Sequence, residues 1–217
     1  MPLFMAVAPD PLAKYIYPLA PTVAAPKVVV DTSAAPETKA WAETAATIMR
    51  AWYPTVRSLL ATTGAKVPKE LKLTMKPGIG PPAYCAGDEI TVKAEWVRDH
   101  PDDLGIVIHE MTHAVQSYPD YDAKPGWLVE GVADYIRWWR YEPGPPHQRI
   151  DPAKSNYSDA YRTTAYWLAW VEQKYDRRLV PMLDGAMRNK RDPLPVFKEL
   201  TGKEPAELWT EFLATKP

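Results

Sequence analysis

An α+β fold is what this sequence predicts, and three observations carry that expectation. Strand-like segments come first and helix-like segments follow, instead of alternating as in a doubly wound sheet. The early segments are short and β-branched or alternating, with Gly- and Pro-rich loops between them. The later segments are longer and repeat apolar residues at three- and four-residue intervals. With 217 residues, 46% of them hydrophobic and 24% charged, the chain can hold one sizeable core with a cleft between two lobes.

Residues 1–26 carry Pro2, Pro9, Pro11, Pro18, Pro21 and Pro26, a density that prevents helix and central strand and reads as an extended arm or linker. A single domain is expected over 27–217, with an N-terminal α/β lobe at 27–118 and a helical lobe at 119–217. Lys27–Asp31 reads as a first strand. From Pro36 to about Ala61, Trp41, Ile48, Met49, Trp52, Val56 and Leu59 mark a helix that Pro54 should kink or interrupt near Tyr53. Leu71, Leu73 and Met75 alternate with polar residues, as do Ile90 and Val92, giving two further strands. Asp102 or Asp103 is placed to cap a helix running to about Ser117. Helices are then expected from Gly126 to about Tyr141, over 157–175, over 178–189 and from Pro205 to Ala214, with a proline-rich loop at 142–156.

The net charge of −1 gives no general attraction to nucleic acid or to an anionic membrane, and no apolar run is long enough to span a bilayer. Cys85 is the one cysteine, so an internal disulfide is excluded and a redox role has no partner thiol. Pro2–Ala8 is apolar but short, and no Lys or Arg precedes it, unlike a secretory signal. A chain without a leader and a chain with a replaced start both remain open.

The chemistry is concentrated at His109-Glu110-Met111-Thr112-His113. On a helix, residues four apart share a face, so two imidazoles can bind one zinc ion while the intervening Glu reaches the water it activates. Leu104, Val107, Ile108, Met111 and Val115 fall on one stripe at about 100° per residue. His109 and His113 point nearly the opposite way, which turns the histidine face towards a cleft floor. Catalytic zinc usually needs a third protein ligand. The pattern H-E-x-x-H-x-x-G-x-x-H is excluded, because Pro119 stands where its last histidine belongs. Glu130 is the next candidate, with Asp134 one turn further on to accept the free N–H of a ligating histidine. The alternative leaves both acids as solvated positions on an exposed helix face.

The stretch His109–Gln116 followed by Gly126–Arg137 resembles the basic secretory protein family, which is classed with distantly thermolysin-like, gluzincin-type metallopeptidases. The similarity extends to Gly87–Val92, Asp159–Ala165, Glu199–Lys203 and Leu208–Trp209, and so covers about 27–213. It implies Zn2+ ligands at His109, His113 and Glu130 and a catalytic Glu110. It also implies a zincin-like fold, a small mixed sheet over an active-site helix followed by a mostly helical C-terminal part. The family name records a basic character from which this slightly acidic chain departs. A secreted or periplasmic location is the corresponding expectation.

Such a site activates water with the metal and uses Glu110 as general base. An oxyanion donor is still needed. Tyr157, Tyr161, Tyr166 and His147 are candidates, and Tyr161 is preferred because it matches a recurring tyrosine of the family. The competing reading makes it a packing residue among Trp167, Trp170 and Tyr175. His100, beside Pro101, reads as an exposed loop residue. Ile90-Thr91-Val92 is expected to form the sheet edge to which an extended peptide adds as a strand. Trp127, Trp138, Trp139, Trp167 and Trp170 either line side-chain pockets or belong to the core. The function expected is a zinc peptidase acting on protein or peptide. Two alternatives stay open: a non-catalytic module of the same fold that binds a cell-wall or protein partner, and a metal hydrolase of a non-peptide substrate. An intact Glu110 argues against the first of these, because a module without catalysis has no need of a base.

Overall fold

The computed structural model describes residues 24–60, 64–122, 125–144 and 150–215, so most of the proline-rich arm and His147 lie outside the described residues. The elements in order are β1 (Lys27–Asp31), a 3-10 turn (Pro36–Thr38), α1 (Lys39–Leu59), β2 (Glu70–Lys76), β3 (Ala83–Ala86), β4 (Glu89–Lys93), α2 (Ala94–Asp99) and α3 (Ile106–Gln116). They continue with α4 (Gly126–Tyr135), a π-helical segment (Ile136–Tyr141), α5 (Tyr161–Lys174), α6 (Leu179–Arg188), α7 (Pro195–Thr201) and α8 (Pro205–Leu213). The class is α+β, with a mixed sheet in the first half and helices after it.

The sheet has the order β1-β2-β4-β3, with β1, β2 and β4 parallel and β3 antiparallel to β4. Leu71, Leu73 and Met75 are fully buried and alternate with less buried neighbours, so β2 presents one face to the core. The two-residue turn between β3 and β4 depends on Gly87, whose φ of 66° lies in the left-handed region. The helix α1 is the crossover that parallel β1 and β2 require. It buries Ala42, Ala45, Ala46, Met49, Tyr53, Val56 and Leu59 on one side.

Two expectations about helices are corrected here. Pro54 does not interrupt α1, which runs on to Leu59. The missing N–H costs one backbone bond, but Met49, Tyr53, Val56 and Leu59 bury the same face on both sides of it, and the Tyr53 hydroxyl donates to the Pro68 carbonyl. The helix of the histidine motif begins at Ile106 and has no aspartate cap. Asp103 instead accepts from Trp96 Nε1 at 2.9 Å and from Arg137. The start of α3 is occupied by the Glu142 carboxylate, which accepts from the Gly105 N–H. A Cβ on Gly105 would lie 2.5 Å from that carboxylate, so a larger residue there would make the Glu142 side chain move.

The buried apolar residues form one cluster from Ala35 to Phe212, joining the sheet, α1 and α3 to the later helices. Trp167, Tyr135, Phe197 and Phe212 are among its largest fully buried members. A second, polar tie sits inside it. Glu172 of α5 accepts from Arg140 at 2.9 Å and from the Tyr135 hydroxyl, all three side chains being buried. This locks α5 to the π-helical segment, whose wider pitch is seen in the Glu142 N–H donating to the Arg137 carbonyl, five residues back.

Candidate metal centre

Two imidazoles on α3 and one carboxylate on α4 converge. His109 Nε2 and His113 Nε2 are 3.1 Å apart, with their rings nearly perpendicular at 82°. Glu130 Oε2 lies 3.2 Å from the first and 3.4 Å from the second. The opposite ring nitrogens are engaged elsewhere. His109 Nδ1 is 2.7 Å from Asp134 Oδ1, and His113 Nδ1 is 2.7 Å from Gln116 Oε1. The Gln116 amide donates in turn to the Val129 carbonyl at 3.1 Å, which fixes its oxygen towards the ring.

Asp134 and the Gln116 oxygen can only accept, so Nδ1 carries the proton in both rings. In neutral rings both Nε2 atoms then present lone pairs, and Glu130 presents a third. Three such atoms within 3.4 Å of one another could hold a cation between them. Tetrahedral zinc with bonds near 2.0–2.1 Å would set its ligand atoms roughly 3.3 Å apart, and the three spacings here are 3.1, 3.2 and 3.4 Å. The residues therefore fit zinc. Electrostatics agree in direction. Burial alone would depress the His109 imidazole, but its bonds to Asp134 and Glu130 outweigh that and raise it to about 9. Burial would raise Glu130, yet the bonds to His109 and His113 bring it down to about 2. The pocket draws in positive charge.

Glu110 is beside this triangle and only 7% exposed. Burial raises its carboxyl from the ordinary range, with the two histidines opposing the shift. Tyr161 faces the triangle from the start of α5. It is 54% exposed, and its ring lies nearly parallel to that of His109 with centroids 6.2 Å apart. Glu130 first, then burial, raises its hydroxyl. The helix begins at Tyr161 and not at 157, because Ala160 (φ 65°, ψ −173°) and Tyr161 (φ 46°) both occupy the left-handed side of the map. Such backbone costs about 1–3 kcal/mol per residue and collects at functional sites. The other tyrosines are elsewhere. Tyr157 packs on Trp127 and Trp167 with centroids 5.6 and 5.1 Å away, and Tyr166 stacks on Trp139 at 5.3 Å.

The chain matches the family described as "Peptidase of plants and bacteria" over residues 39–212. It belongs to that family, the basic secretory proteins. No curated protein and no solved structure matches the chain. The family match runs from the first residue of α1 into α8 and includes every residue of the triangle, Glu110 and Tyr161. Among the described residues, no helix is long and apolar enough to cross a membrane.

The triangle opens into a cleft of about 1400 Å³, lined on its sides by Tyr84, Cys85, Trp138, Tyr161 and Arg162. One expectation for this basic secretory protein is overturned. Ile90-Thr91-Val92 is not the sheet edge: β4 lies between β2 and β3, and these three residues are at most 3% exposed. The edge beside the cleft is β3, Ala83–Ala86. Its Ala-Tyr-Cys-Ala sequence lacks the β-branched alternation that marks a strand, so it reads as loop. Tyr84 and Tyr161 are the two exposed large apolar side chains among the described residues, and both line this cleft. Of the tryptophans, Trp138 lines the cleft, Trp167 is fully buried, and Trp127, Trp139 and Trp170 pack against the core. His100 is exposed at the rim, its ring 4.0 Å from that of Trp96. The sequence reading missed Gln116, whose spacing of three from His113 was the available signal, and the edge position of Tyr84 and Cys85.

Proposed function

We propose that the chain is a gluzincin-type peptidase that depends on Zn2+ held by His109, His113 and Glu130. The observation that supports this best is the convergence of three lone-pair donors with zinc-like spacing beside a buried glutamate. Bound zinc would supply Lewis acidity, polarising the scissile carbonyl and lowering the pKa of water towards about 7. The Glu110 carboxylate accepts the proton of the attacking water and passes it to the leaving amine nitrogen. The Tyr161 hydroxyl donates to the oxyanion as charge develops there. Asp134 and Gln116 hold the proton on Nδ1 of the two rings, and so keep both Nε2 atoms free to ligate.

The substrate runs along β3 in this proposal. The Lys93 N–H donates to the Pro82 carbonyl at 2.9 Å. Alternate residues of an antiparallel pair share this orientation, so Tyr84 and Ala86 direct their main-chain groups to β4 while Ala83 and Cys85 direct theirs to the open side. An extended peptide gains main-chain hydrogen bonds there without a particular sequence. A secreted or periplasmic address belongs to the same proposal and rests on the family resemblance.

Purified protein is expected to hold about one zinc per chain and to cleave casein until a chelator is added. Glu110→Gln should retain the metal and lose turnover. A Glu110→Gln protein that cleaves as fast as wild type would remove the general base from the mechanism.

A further inference from the structure

Building on the peptidase reading, we propose that Arg162 and Trp138 form a carboxylate subsite, so that the preferred peptides carry an acidic side chain or a free C-terminal carboxylate close to the scissile bond. Arg162 directly follows Tyr161 at the start of α5, is exposed and lines the cleft. Its guanidinium lies over the Trp138 ring, 5.8 Å from the centroid. Arg137 lies against the same ring at 3.9 Å. The two arginines differ in their acids. Arg137 is paired with Asp103 and, at 3.6 Å, with Glu142, while Asp99, which also lines the cleft, is taken by Arg98 at 2.8 Å. Arg162 makes no ion pair among the described residues.

One guanidinium not held by a carboxylate therefore stands on this wall of the cleft. A guanidinium is a rigid fork of donors that matches a carboxylate in two parallel hydrogen bonds. The aromatic face beside it attracts the cation and limits its motion, so little ordering is left to be done when a ligand arrives. The Tyr161 ring faces that of His109 with centroids 6.2 Å apart, and Arg162, the next residue, lines the same cleft, so a carboxylate held by Arg162 belongs to a peptide bound at this site. A Glu or Asp side chain and a chain terminus present the same group.

The test uses the zinc-loaded full chain and paired peptides. One set differs only by Glu or Gln at each position flanking the cleaved bond. The other differs only by a free acid or an amide at the C-terminus. The readout is the kcat/KM ratio within each pair, in which any general loss of turnover caused by disturbing Tyr161 cancels. Wild type should favour the carboxylate member of one pair by roughly 10-fold or more, and the pair that responds identifies the source. Arg162→Gln should bring that ratio to about 1, Arg162→Lys should keep part of it, and Arg162→Glu should turn it towards a Lys-containing peptide. A ratio untouched by Arg162→Gln, or equal rates for both members of every pair in wild type, overturns the subsite. Calorimetric titration of the same pairs into Glu110→Gln separates this from the peptidase reading. Selective binding there with no cleavage by wild type keeps the subsite and sinks the peptidase. Equal binding of both members sinks the subsite whatever the activity.

Discussion

His109 and His113 are useful to a metal only while their protons stay on Nδ1. Asp134 and Gln116 hold them there through contacts of 2.7 Å each. Asp134→Ala or Gln116→Leu should therefore weaken zinc affinity by about 10–100-fold, read by competition with a chromophoric chelator. Glu130→Ala should weaken it at least as much, since it removes the third proposed ligand. Wild-type affinity in Asp134→Ala would mean that the tautomer is set by something else. Tyr161→Phe should behave oppositely, keeping zinc while kcat falls by about 10²–10³-fold, the usual result of losing one oxyanion donor. Equal kcat in Tyr161→Phe would return Tyr161 to a purely structural role. At this scale the sequence was legible wherever chemistry needs a fixed spacing: the two histidines with Glu110 between them, and Glu130 four residues before Asp134. Gln116 was legible only as a residue three positions after His113, because the fold decides which ring a glutamine at the end of an amphipathic helix faces.

Tyr161 is brought to the site by how closely α5 passes α4, and one glycine permits that. A Cβ on Gly131, the residue after the third ligand, would lie 2.2 Å from the Thr164 γ-methyl. Thr164 cannot turn away easily, since it is fully buried and its hydroxyl donates to the Tyr157 carbonyl at 2.6 Å. Gly131→Ala should therefore push α5 back, destabilise the protein by about 1–3 kcal/mol and lower kcat with zinc retained. Adding Thr164→Ser removes the methyl but keeps the hydroxyl and the Cβ, which would still lie 2.7 Å from the new methyl, so the double variant should recover part of the lost melting temperature and kcat. No recovery would show that the two helices do not meet through this pair. The elements themselves were legible where burial imposes a period, as in β2 and in the helices near 126–141, 178–189 and 205–214. They were not where local backbone decides. Among the described residues β3 has no alternating pattern, α2 follows β4 without a break, α7 is a single short stretch after Pro193, and positive φ at Ala160 and Tyr161 delays α5.

For the whole molecule, the three proposed ligands matter because they come from helices anchored in different places. His109 and His113 ride on α3, which packs against α1 and the sheet, whereas Glu130 rides on α4, which packs against α5. A cation at their meeting point thus joins the sheet half to the helical half across the floor of the cleft. Without it, the carboxyl groups of Glu110, Glu130 and Asp134 crowd around the two rings with no metal between them. Ligand that binds only the folded chain stabilises it by RT ln(1 + [L]/Kd), about 2.7 kcal/mol at a hundredfold excess over Kd, which for a domain of this size is roughly 5–10 °C in Tm. Chelation should lower Tm by that order, and added zinc should restore it. Glu130→Ala should fold, yet its Tm should respond to zinc far less at the same concentration, because the bridge to α4 has been removed. This readout needs no substrate and no turnover. An equal zinc response in wild type and Glu130→Ala would place the cation on α3 alone and leave the two halves of the cleft unconnected by metal.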